Sequence, residues 1–434
     1  MFVDAIKKEK RDIMSGKKNQ TESRDLTAQA FNILEQNSAV SLFEPVFSVH
    51  KMGVVGLEAV GRAVDPENLR MIAPPELFRD MDEEDFFIKL GLDRLFRSKG
   101  LESFVPFQAR TPRLLLFLDI EPSVLEENTV GSGHFRRQVA DYGTDPQQVI
   151  VQIPLVGKLN IPLVSQFIHL QREHHFLVGL KKMDASPAKL EAMLRFKPDL
   201  IQLEDSLSRG LSRDNKRQGL FRKITRKAHA LGVVVMSGNL DNEEDALAAL
   251  ELGADLLQGS YFSHNRRSSL LLTLNRRARM MFLASRYLRR QAQRVRRDRD
   301  QRKRCERLSS AVFFRIESSH SMDPGSLFPL LARDYPALEC LWVLDEEGIQ
   351  QGSVHCNEVL IPERKRFLFQ PTPAESDHSF QEYFYSLENQ SGPLVTEPRL
   401  SMNSGQLCVT ASKRVTDSSG ESRILCLDLN LSKI

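Results

Sequence analysis

The chain has 434 residues, of which 41% are hydrophobic and 27% are charged, and its formal net charge is +3. This composition is ordinary for a globular protein of two or three domains. The longest apolar runs, such as residues 114–118, have the length of a strand, which excludes a transmembrane segment of about 20 apolar residues. Because the first 20 residues also lack an apolar signal core, we expect a cytoplasmic protein without a membrane span.

The N-terminal part of the chain predicts a tail, a helix and a hairpin. Residues 1–23 are polar, and a short amphipathic helix follows around Phe31. The apolar-rich segments 40–49 and 54–60 lie on either side of Lys51-Met52-Gly53, which is typical of a β-hairpin.

Six further apolar segments follow at intervals that are long enough to hold helices. These segments are residues 114–120, 149–154, 176–180, 199–203, 232–237 and 255–258. The amphipathic stretches between them include residues 159–172, 188–196, 218–231 and 242–252. Buried strands that alternate with helices indicate a parallel α/β sheet. Six such strands after a hairpin predict a TIM-like (β/α)8 barrel, which we place at residues 24–268.

A strongly basic segment follows the predicted barrel. Residues 276–307 contain 13 Arg and one Lys, against three acidic residues, and almost no Gly or Pro. Because Arg favours helix, we predict a long, exposed basic helix over residues 269–308. Binding of nucleic acid or of an acidic membrane is one interpretation of its charge. A linker helix with a solvated basic face, which contributes to a homodimer, is the interpretation that we favour.

The last part of the chain, residues 309–434, predicts a small α+β domain. Segments 338–344, 349–354, 406–415 and 421–431 alternate with turns and indicate an antiparallel sheet. An aromatic cluster between them is interpreted as core packing, and its members are Phe380, Tyr383, Phe384 and Tyr385. Cysteines also occur only in this last third and form no CxxC pair, so we interpret all five as buried free thiols: Cys305, Cys340, Cys356, Cys408 and Cys426.

Polar side chains occur at the ends of the predicted barrel strands, where a (β/α)8 barrel forms its active site. These residues are Glu58, Asp119, Gln152, Lys181, Lys182, Gln202, Glu204, Ser237 and Gln258. Several of them carry amide, hydroxyl or ammonium groups, whereas hard divalent cations prefer anionic oxygen ligands. The strand ends therefore indicate the position of an active site but not the ligands of a metal site.

Residues 40–265 resemble the EAL domain, the cyclic-di-GMP phosphodiesterase family that is named for a Glu-Ala-Leu motif. The order and spacing of the matching motifs carry the resemblance: Glu44-Pro45-Val46, Val55-Gly56-Leu57-Glu58-Ala59-Val60-Gly61-Arg62, Leu118-Asp119-Ile120-Glu121-Pro122, Pro198-Asp199-Leu200-Ile201, Leu252-Gly253-Ala254-Asp255 and Gln258-Gly259-Ser260-Tyr261-Phe262-Ser263. The resemblance implies a barrel that hydrolyses cyclic-di-GMP with two Mg²⁺ or Mn²⁺ ions.

The resemblance gives roles to the residues that match it. Glu58 corresponds to the motif glutamate, which is a metal ligand, and Arg62 to an arginine that contacts the phosphate of the ligand. Asp119 stands where the family has a metal-binding Asn, and Gln258 is the family residue itself. Glu44 replaces the first Gln of the family's Gln-Pro-Ile motif. The candidate ligand-binding residues are therefore Glu44, Arg62, Asp119 and Gln258.

The other matched positions depart from the family pattern. Gln152 and Ser237 stand where the family has metal-linked Glu residues, and Lys181-Lys182 stands in place of an Asp-Asp pair. Gln202 replaces a lysine that orients the attacking water, and Glu204 replaces an Asp. The lysine pair changes the local charge from about −2 to about +2, which repels divalent cations. We therefore expect no catalytic residues and no metal cofactor, and Mg²⁺ or Mn²⁺ would be needed only by an active enzyme.

Two interpretations of the lysine pair stay open at this stage. Lys181 and Lys182 are either a solvated loop pair, or one ammonium occupies the place of the lost metal beside Glu58 and Asp119. Glu58 and Gln258 are equally consistent with purely structural roles at strand ends.

Three functional hypotheses follow from these residues. The first is a catalytically inactive EAL domain that acts as a regulatory module for an unidentified protein partner in bacterial signalling. The second is a metal-independent receptor for cyclic-di-GMP, and the third is an active phosphodiesterase. We favour the first hypothesis, and we do not expect a nucleic-acid partner.

Residues 309–434 are similar in outline to PAS-like or Cache-type sensor domains. The motifs that carry this weaker resemblance are Tyr335-Pro336-Ala337-Leu338-Glu339, Val343-Leu344-Asp345-Glu346-Glu347-Gly348 and Gly392-Pro393-Leu394-Val395-Thr396-Glu397-Pro398. Such domains bind small ligands or dimerise, and the sequence does not identify a ligand.

Overall fold

A computed structural model describes residues 21–66, 68–78, 81, 85–157, 159–262, 274–319, 323–360, 369–389, 392–416 and 420–434. The chain divides into two compact units, Met1–Arg290 and Gln291–Ile434. The predicted polar tail, residues 1–23, lies mostly outside the described residues. The domain boundaries that we expect after residues 268 and 308 stay predictions.

The first unit contains a closed barrel. Its described strands are β1 (Ala39–Ser48), β2 (Gly53–Val64), β3 (Met71–Ile72), β4 (Leu115–Asp119), β5 (Val149–Pro154), β6 (Leu177–Met183), β7 (Leu200–Leu203), β8 (Val234–Ser237) and β9 (Leu256–Leu257). Strands β4 to β9 pair in parallel in chain order, and β2 pairs in parallel with β4. Strand β1 is antiparallel to both β2 and β9, so it closes a barrel of eight strands. The predicted TIM-like barrel is therefore confirmed.

The helices of this unit alternate with the parallel strands and cover the barrel. They are α1 (Thr21–Glu35), α2 (Pro74–Phe78), α3 (Phe86–Arg110), α4 (Glu127–Val130), α5 (His134–Asp141), α6 (Ile161–Glu173), α7 (Pro187–Phe196), α8 (Asp205–Ser208), α9 (Asn215–Ala230) and α10 (Glu243–Glu251). Because helices cover the outside and side chains fill the inside, the strands are buried on both faces and form continuous apolar runs. The polar residues at the C-terminal ends of these strands therefore interrupt otherwise apolar sequences.

A long helix, α11, spans Leu274–Ser318 and includes the boundary between the two units. The predicted basic helix is thus confirmed over residues 274–308 and continues to Ser318, and residues 269–273 lie outside the described residues. Within the first unit, Met280 and Leu283 are fully buried in the barrel core. Arg286 forms ion pairs with Glu243 and Glu244 of α10, which fixes this end of the helix. None of the described helices combines the length and the apolar content that a membrane span requires.

The second unit is built on an antiparallel sheet, as predicted. Its described strands are β10 (Leu338–Leu344), β11 (Gln350–Cys356), β12 (Leu394–Val395), β13 (Arg399–Leu400), β14 (Leu407–Thr416) and β15 (Ser422–Asn430). The strand order is β11-β10-β15-β14-β12, and β13 pairs with β14. Helix α12 (Pro324–Asp334) and the short helix α13 (Glu382–Tyr385) accompany the sheet. The assignment to a PAS-like or Cache-like sensor domain remains a prediction.

Two sequence-based interpretations of this unit are wrong in part. Cys340 and Cys356 form a disulfide, whereas the other cysteines are buried free thiols as expected: Cys305, Cys408 and Cys426. The two bonded residues lie directly opposite each other on β10 and β11, with their Cα atoms 4.1 Å apart, a pairing that spacing along the chain does not reveal.

The aromatic cluster is the second partial correction. Tyr383 is buried in the core as predicted, but Phe380 and Tyr385 are exposed. Phe384 is half-buried and packs against the same hydrophobic cluster as Tyr383. Phe380 precedes α13, and Tyr385 is the last residue of this four-residue helix, so neither ring is held against the sheet.

Candidate functional site

The ammonium group of Lys181 lies at the centre of the polar residues at the C-terminal mouth of the barrel. Lys181 belongs to β6, and its Nζ donates to Oε1 of Glu58 on β2. The same Nζ donates to both carboxylate oxygens of Asp119 at the end of β4, at 3.0 and 2.8 Å. Three strands that are distant in sequence therefore bring one cation and two carboxylates together.

The ionised states of this cluster stabilise one another. Burial opposes the charge on Glu58, but attraction to Lys181 and hydrogen bonds from Lys181 and Gln258 outweigh it, so the pKa of Glu58 lies below its ordinary value. Burial likewise opposes the charge on Lys181, yet Asp119 and Glu58 raise the pKa of this lysine above its usual range. Lys181 therefore carries a permanent positive charge at the mouth of the barrel.

A β-bulge separates the directions of the two lysines. The pairing of β6 with β7 shifts register between Leu180 and Met183, and Lys182 has a φ of 61°. Bulges redirect side chains at the rims of barrels. Lys182 accordingly leaves the cluster around Lys181, and its Nζ bonds to Asp205 at 2.9 Å and lies 3.6 Å from Glu204. Both lysines are thus ion-paired, and only Lys181 lies beside Glu58 and Asp119.

The carboxylate partner of Lys182 was not among the predicted site residues. Asp205 directly follows Glu204 in the sequence and opens helix α8 after β7. Its position one residue beyond a strand-end carboxylate is a signal that could have identified it. Lys189 brings a further positive charge to these carboxylates: its Nζ lies 3.1 Å from Asp184 and 3.8 Å from Glu204.

Glutamine side chains form a chain of hydrogen bonds beneath the ion pair. Gln152 donates to Gln202 at 3.2 Å, Gln202 donates to Gln258 at 3.4 Å, and Gln258 donates to Oε2 of Glu58 at 2.6 Å. All three amides are buried. In each step the side-chain NH2 of one residue donates to the side-chain oxygen of the next. The last acceptor is the carboxylate of Glu58, which also accepts a hydrogen bond from Lys181.

Ser237 does not join this chain. Its hydroxyl is fully buried and lies 2.9 Å from the hydroxyl of Ser208, which follows β7 in helix α8. No sequence signal indicates Ser208, because it lies within a helix and belongs to none of the matched motifs.

Backbone geometry fixes Gln258 in place. Gly259 has a φ of 149°, and a Cβ atom there would lie 2.3 Å from the backbone N and O of Leu240. Only glycine fits so close an approach. The backbone of Gln258 is also bonded on both sides, to Ser237 and to Leu240.

The other predicted ligand-binding residues lie on β1 and β2. Glu44 is directly opposite Glu58 in the antiparallel pairing of these strands. Arg62 is half-buried further along β2, and its guanidinium donates to the carbonyl of Gly61 at 2.7 Å.

The sequence profile of the EAL domain matches residues 26–265, which is more than half of the chain. The chain belongs to the EAL domain family. Its barrel is therefore the domain of a cyclic-di-GMP signalling family, and the Lys181 cluster lies at the barrel face that the resemblance indicates as the active site.

Solved structures support the fold of this EAL protein. The Bacillus subtilis YkuI protein, an EAL-domain protein solved with cyclic-di-GMP and calcium, is 15% identical, with a TM-score of 0.74 over 92% of this chain and 98% of that one. The PaMucR phosphodiesterase, solved as a cyclic-di-GMP complex, is 13% identical, with a TM-score of 0.51 over 57% of this chain and all of that one. No protein with a curated description matches the sequence. At these identities the likeness concerns the fold.

Proposed function

We propose that this EAL protein does not hydrolyse cyclic-di-GMP and acts as a regulatory interaction module in signalling. The observation that carries the proposal is the ammonium of Lys181, bonded to both Glu58 and Asp119. These two carboxylates are the residues that the family resemblance assigns to metal binding. In this chain both carboxylates are ion-paired with a side chain of the protein itself.

The donor set supports the same proposal, because it does not fit two divalent cations. The carboxylates beside Lys181 already hold a cation, so a metal ion would have to displace an ammonium from a buried, low-dielectric position. A metal ion that bound without displacing it would lie within a few ångströms of a like charge. The neighbouring amide oxygens of Gln152, Gln202 and Gln258 can ligate divalent cations but carry no negative charge to offset them. Those of Gln202 and Gln258 already accept hydrogen bonds.

The residues that would activate water are also absent from the matched positions. Gln202 stands where the family resemblance expects a lysine, and its amide is held between Gln152 and Gln258. An amide has no proton to exchange near neutral pH and cannot act as a general acid or base. The proposal therefore includes no catalytic step.

A metal-independent receptor for cyclic-di-GMP is the second candidate. Both structural relatives described above were solved with cyclic-di-GMP, and the side chain of Asp119 is 45% exposed at the mouth. A ligand can reach this carboxylate, and Arg62, the residue that the resemblance assigns to the phosphate of the ligand, is half-buried further along β2. Binding without turnover is compatible with a regulatory role.

Calorimetric titration with cyclic-di-GMP, in Mg²⁺ and in EDTA, tests both candidates together with a product assay. The interaction module predicts neither heat nor product, and the receptor predicts equal heat in both buffers without product. Hydrolysis that requires Mg²⁺ or Mn²⁺ and disappears in Glu58→Ala would overturn the proposal. An active EAL phosphodiesterase assayed in parallel controls for the quality of the substrate.

A further inference from the structure

Helix α9 of the barrel presents a row of cations to solvent. The helix spans Asn215–Ala230, and its 16 residues include six Lys and Arg but no Asp or Glu. One of the six, Arg217, pairs with Asp214 just before the helix, at 3.0 Å. The other five are exposed, and we call them the basic face: Lys216, Arg222, Lys223, Arg226 and Lys227.

The charge of the basic face is not neutralised within the described part of the chain, where none of its five side chains forms an ion pair or a hydrogen bond. Cations on other helices of this unit do have partners. Arg195 lies 3.4 Å from Glu191 within α7. Arg290 of α11 pairs with Glu244 and Glu251. The formal net charge of the whole chain is only +3, so the basic face is a local concentration of positive charge.

The basic face does not stabilise the helix that carries it. Like charges four residues apart on a helix are destabilising. The basic face contains two such pairs, Arg222 with Arg226 and Lys223 with Lys227. On the opposite side of α9, Phe221, Ile224 and Ala228 are fully buried in the barrel core. The buried side therefore holds the helix in place, and the fold does not require the exposed cations.

The composition and the surroundings of the basic face indicate the kind of partner that it fits. From Lys216 to Lys227 it extends over about 17 Å of helix. Gly219 and Ala230 share this side, so no large apolar side chain lies among the cations. Protein interfaces have an apolar centre, which the basic face lacks. Because α9 lies between α7 and α10 in the ring of helices around the barrel, it does not protrude as a helix must to enter a nucleic-acid groove.

We propose that the basic face binds the surface of a membrane that is rich in anionic phospholipids. Headgroup phosphates form an extended layer of negative charge, which complements a row of cations along one side of a helix. Because the apolar side of α9 is buried in the barrel, the association is electrostatic, does not insert into the bilayer and is sensitive to salt. The helices of such a barrel run along its side, so this contact leaves the mouth around Lys181 uncovered. The proposal is therefore independent of whether the barrel hydrolyses cyclic-di-GMP.

Co-sedimentation of the full-length protein with lipid vesicles tests the contact. The protein should bind vesicles of phosphatidylcholine mixed with phosphatidylglycerol, should not bind vesicles of phosphatidylcholine alone, and should be released by high salt. Arg222→Gln combined with Arg226→Gln should weaken binding by roughly 30-fold, since each cation near an anionic surface contributes about fivefold. Lys223→Gln combined with Lys227→Gln should give the same loss. Neither double variant should unfold at a lower temperature than the wild type, because each removes a like-charged pair.

The matched control removes the same charge from α11. Arg296→Gln combined with Arg297→Gln alters two exposed arginines outside the barrel and should weaken vesicle binding far less than the α9 variants do. An equal or larger loss in this control, no binding to the mixed vesicles, or equal binding to both kinds of vesicle would overturn the proposal. A gel-shift assay with duplex DNA covers the other polyanion. If the α9 variants lost DNA binding while vesicle binding persisted, the basic face would belong to nucleic acid and the proposal would be wrong.

Discussion

Lys181 introduces a positive charge into a part of the barrel where water has limited access. Its side chain is only 12% exposed, and that of Glu58 only 7%. Buried ions require partners, because removal from water costs several kcal/mol for each ion. The geometry meets this requirement with one ammonium and two carboxylates, and the excess negative charge belongs to Asp119, which remains partly exposed to solvent.

Replacement of Lys181 tests the contribution of this ion pair to stability. Lys181→Ala should lower the free energy of unfolding by about 1 to 3 kcal/mol, since the Glu58 carboxylate would remain buried without its cation. Chemical denaturation measures the change. Lys182→Ala is the matched control, with an expected loss below about 1 kcal/mol, because Lys182 is more exposed than Lys181 and pairs with Asp205. Equal losses in the two variants would contradict the central role of Lys181.

The pH dependence of the same variant has a definite sign. In the wild type, the lowered pKa of Glu58 contributes stability that is present at neutral pH and is lost as the pH falls through the folded-state pKa. Without Lys181, burial is the dominant influence and would raise the pKa of Glu58, so protonation would stabilise the variant. The stability difference between wild type and Lys181→Ala should therefore shrink at acidic pH. A difference that widens in acid would exclude this mechanism.

A second buried carboxylate, Glu339 in the C-terminal unit, is predicted to behave in the opposite way. Burial and the nearby Asp428 raise its pKa, so its ionised form weakens the fold at neutral pH. Its two oxygens accept hydrogen bonds from Ser404 and Asn430. Glu339→Gln can keep both contacts, because a hydroxyl can also accept. This variant should raise the free energy of unfolding near pH 7 by on the order of 1 kcal/mol.

The pH profile distinguishes this effect from a simple gain in packing. A raised folded-state pKa means that wild-type stability increases as the pH falls through that value. The advantage of Glu339→Gln in urea denaturation should consequently disappear at low pH. An advantage that stays constant from neutral to acidic pH would show that ionisation of Glu339 is not its cause.

Sequence reasoning at the residue scale located the site but not all its contacts. The strand-end position of the lysine pair made a contact with Glu58 and Asp119 one of two open interpretations, because parallel strands of a barrel present their C-terminal ends to one mouth. The sequence did not decide between that contact and a solvated loop pair, nor which of the two lysines would make it. The divergence of Lys182 toward Asp205 was not predictable, since it depends on a bulge. A bulge is a one-residue shift of register that leaves no periodic signal in the sequence.

At the scale of elements, regular periodicity decided what could be predicted. The buried parallel strands and the short helices between them have apolar residues at regular spacing in the sequence. Helix α3 does not have such a regular spacing. It contains Gly91, Gly100 and Pro106, and its buried residues surround much of its axis. Gly100 allows the helix to approach the barrel, because a Cβ there would lie 3.0 Å from Cβ of Ala59. A helix with contacts on several sides has no single apolar face to recognise.

The disulfide of the β10–β11 hairpin makes a prediction at the same scale. Its loop spans 16 residues, and closure of a loop of that length stabilises a fold by about 3 kcal/mol. Cys356→Ser should lower the unfolding free energy of the C-terminal unit by a comparable amount, and a reductant should do the same to the wild type. Adding reductant to Cys356→Ser should cause no further loss. Mass spectrometry after alkylation would contradict the bond if both thiols react in the untreated protein.

At the scale of the whole molecule, the chain contains separate hydrophobic cores. One joins the barrel interior to the helices around it and includes Met280 and Leu283 of α11. Another joins Val312, Phe313 and Ile316, near the other end of the same helix, to the antiparallel sheet. Each unit therefore has the apolar contacts needed for a cooperative transition of its own.

We therefore expect differential scanning calorimetry of the full chain to show two transitions. Lys181→Ala should lower the temperature of only one of them, since its contacts lie in the barrel, and Cys356→Ser should lower only the other. A substitution that destabilised the whole chain would lower the temperatures of both transitions. Each variant is therefore a control for the other. A single transition that either substitution shifts would show that the two cores unfold as one cooperative unit, with α11 coupling them. Two independent shifts would show that the barrel and the antiparallel sheet are stabilised separately, although one helix contributes residues to both cores.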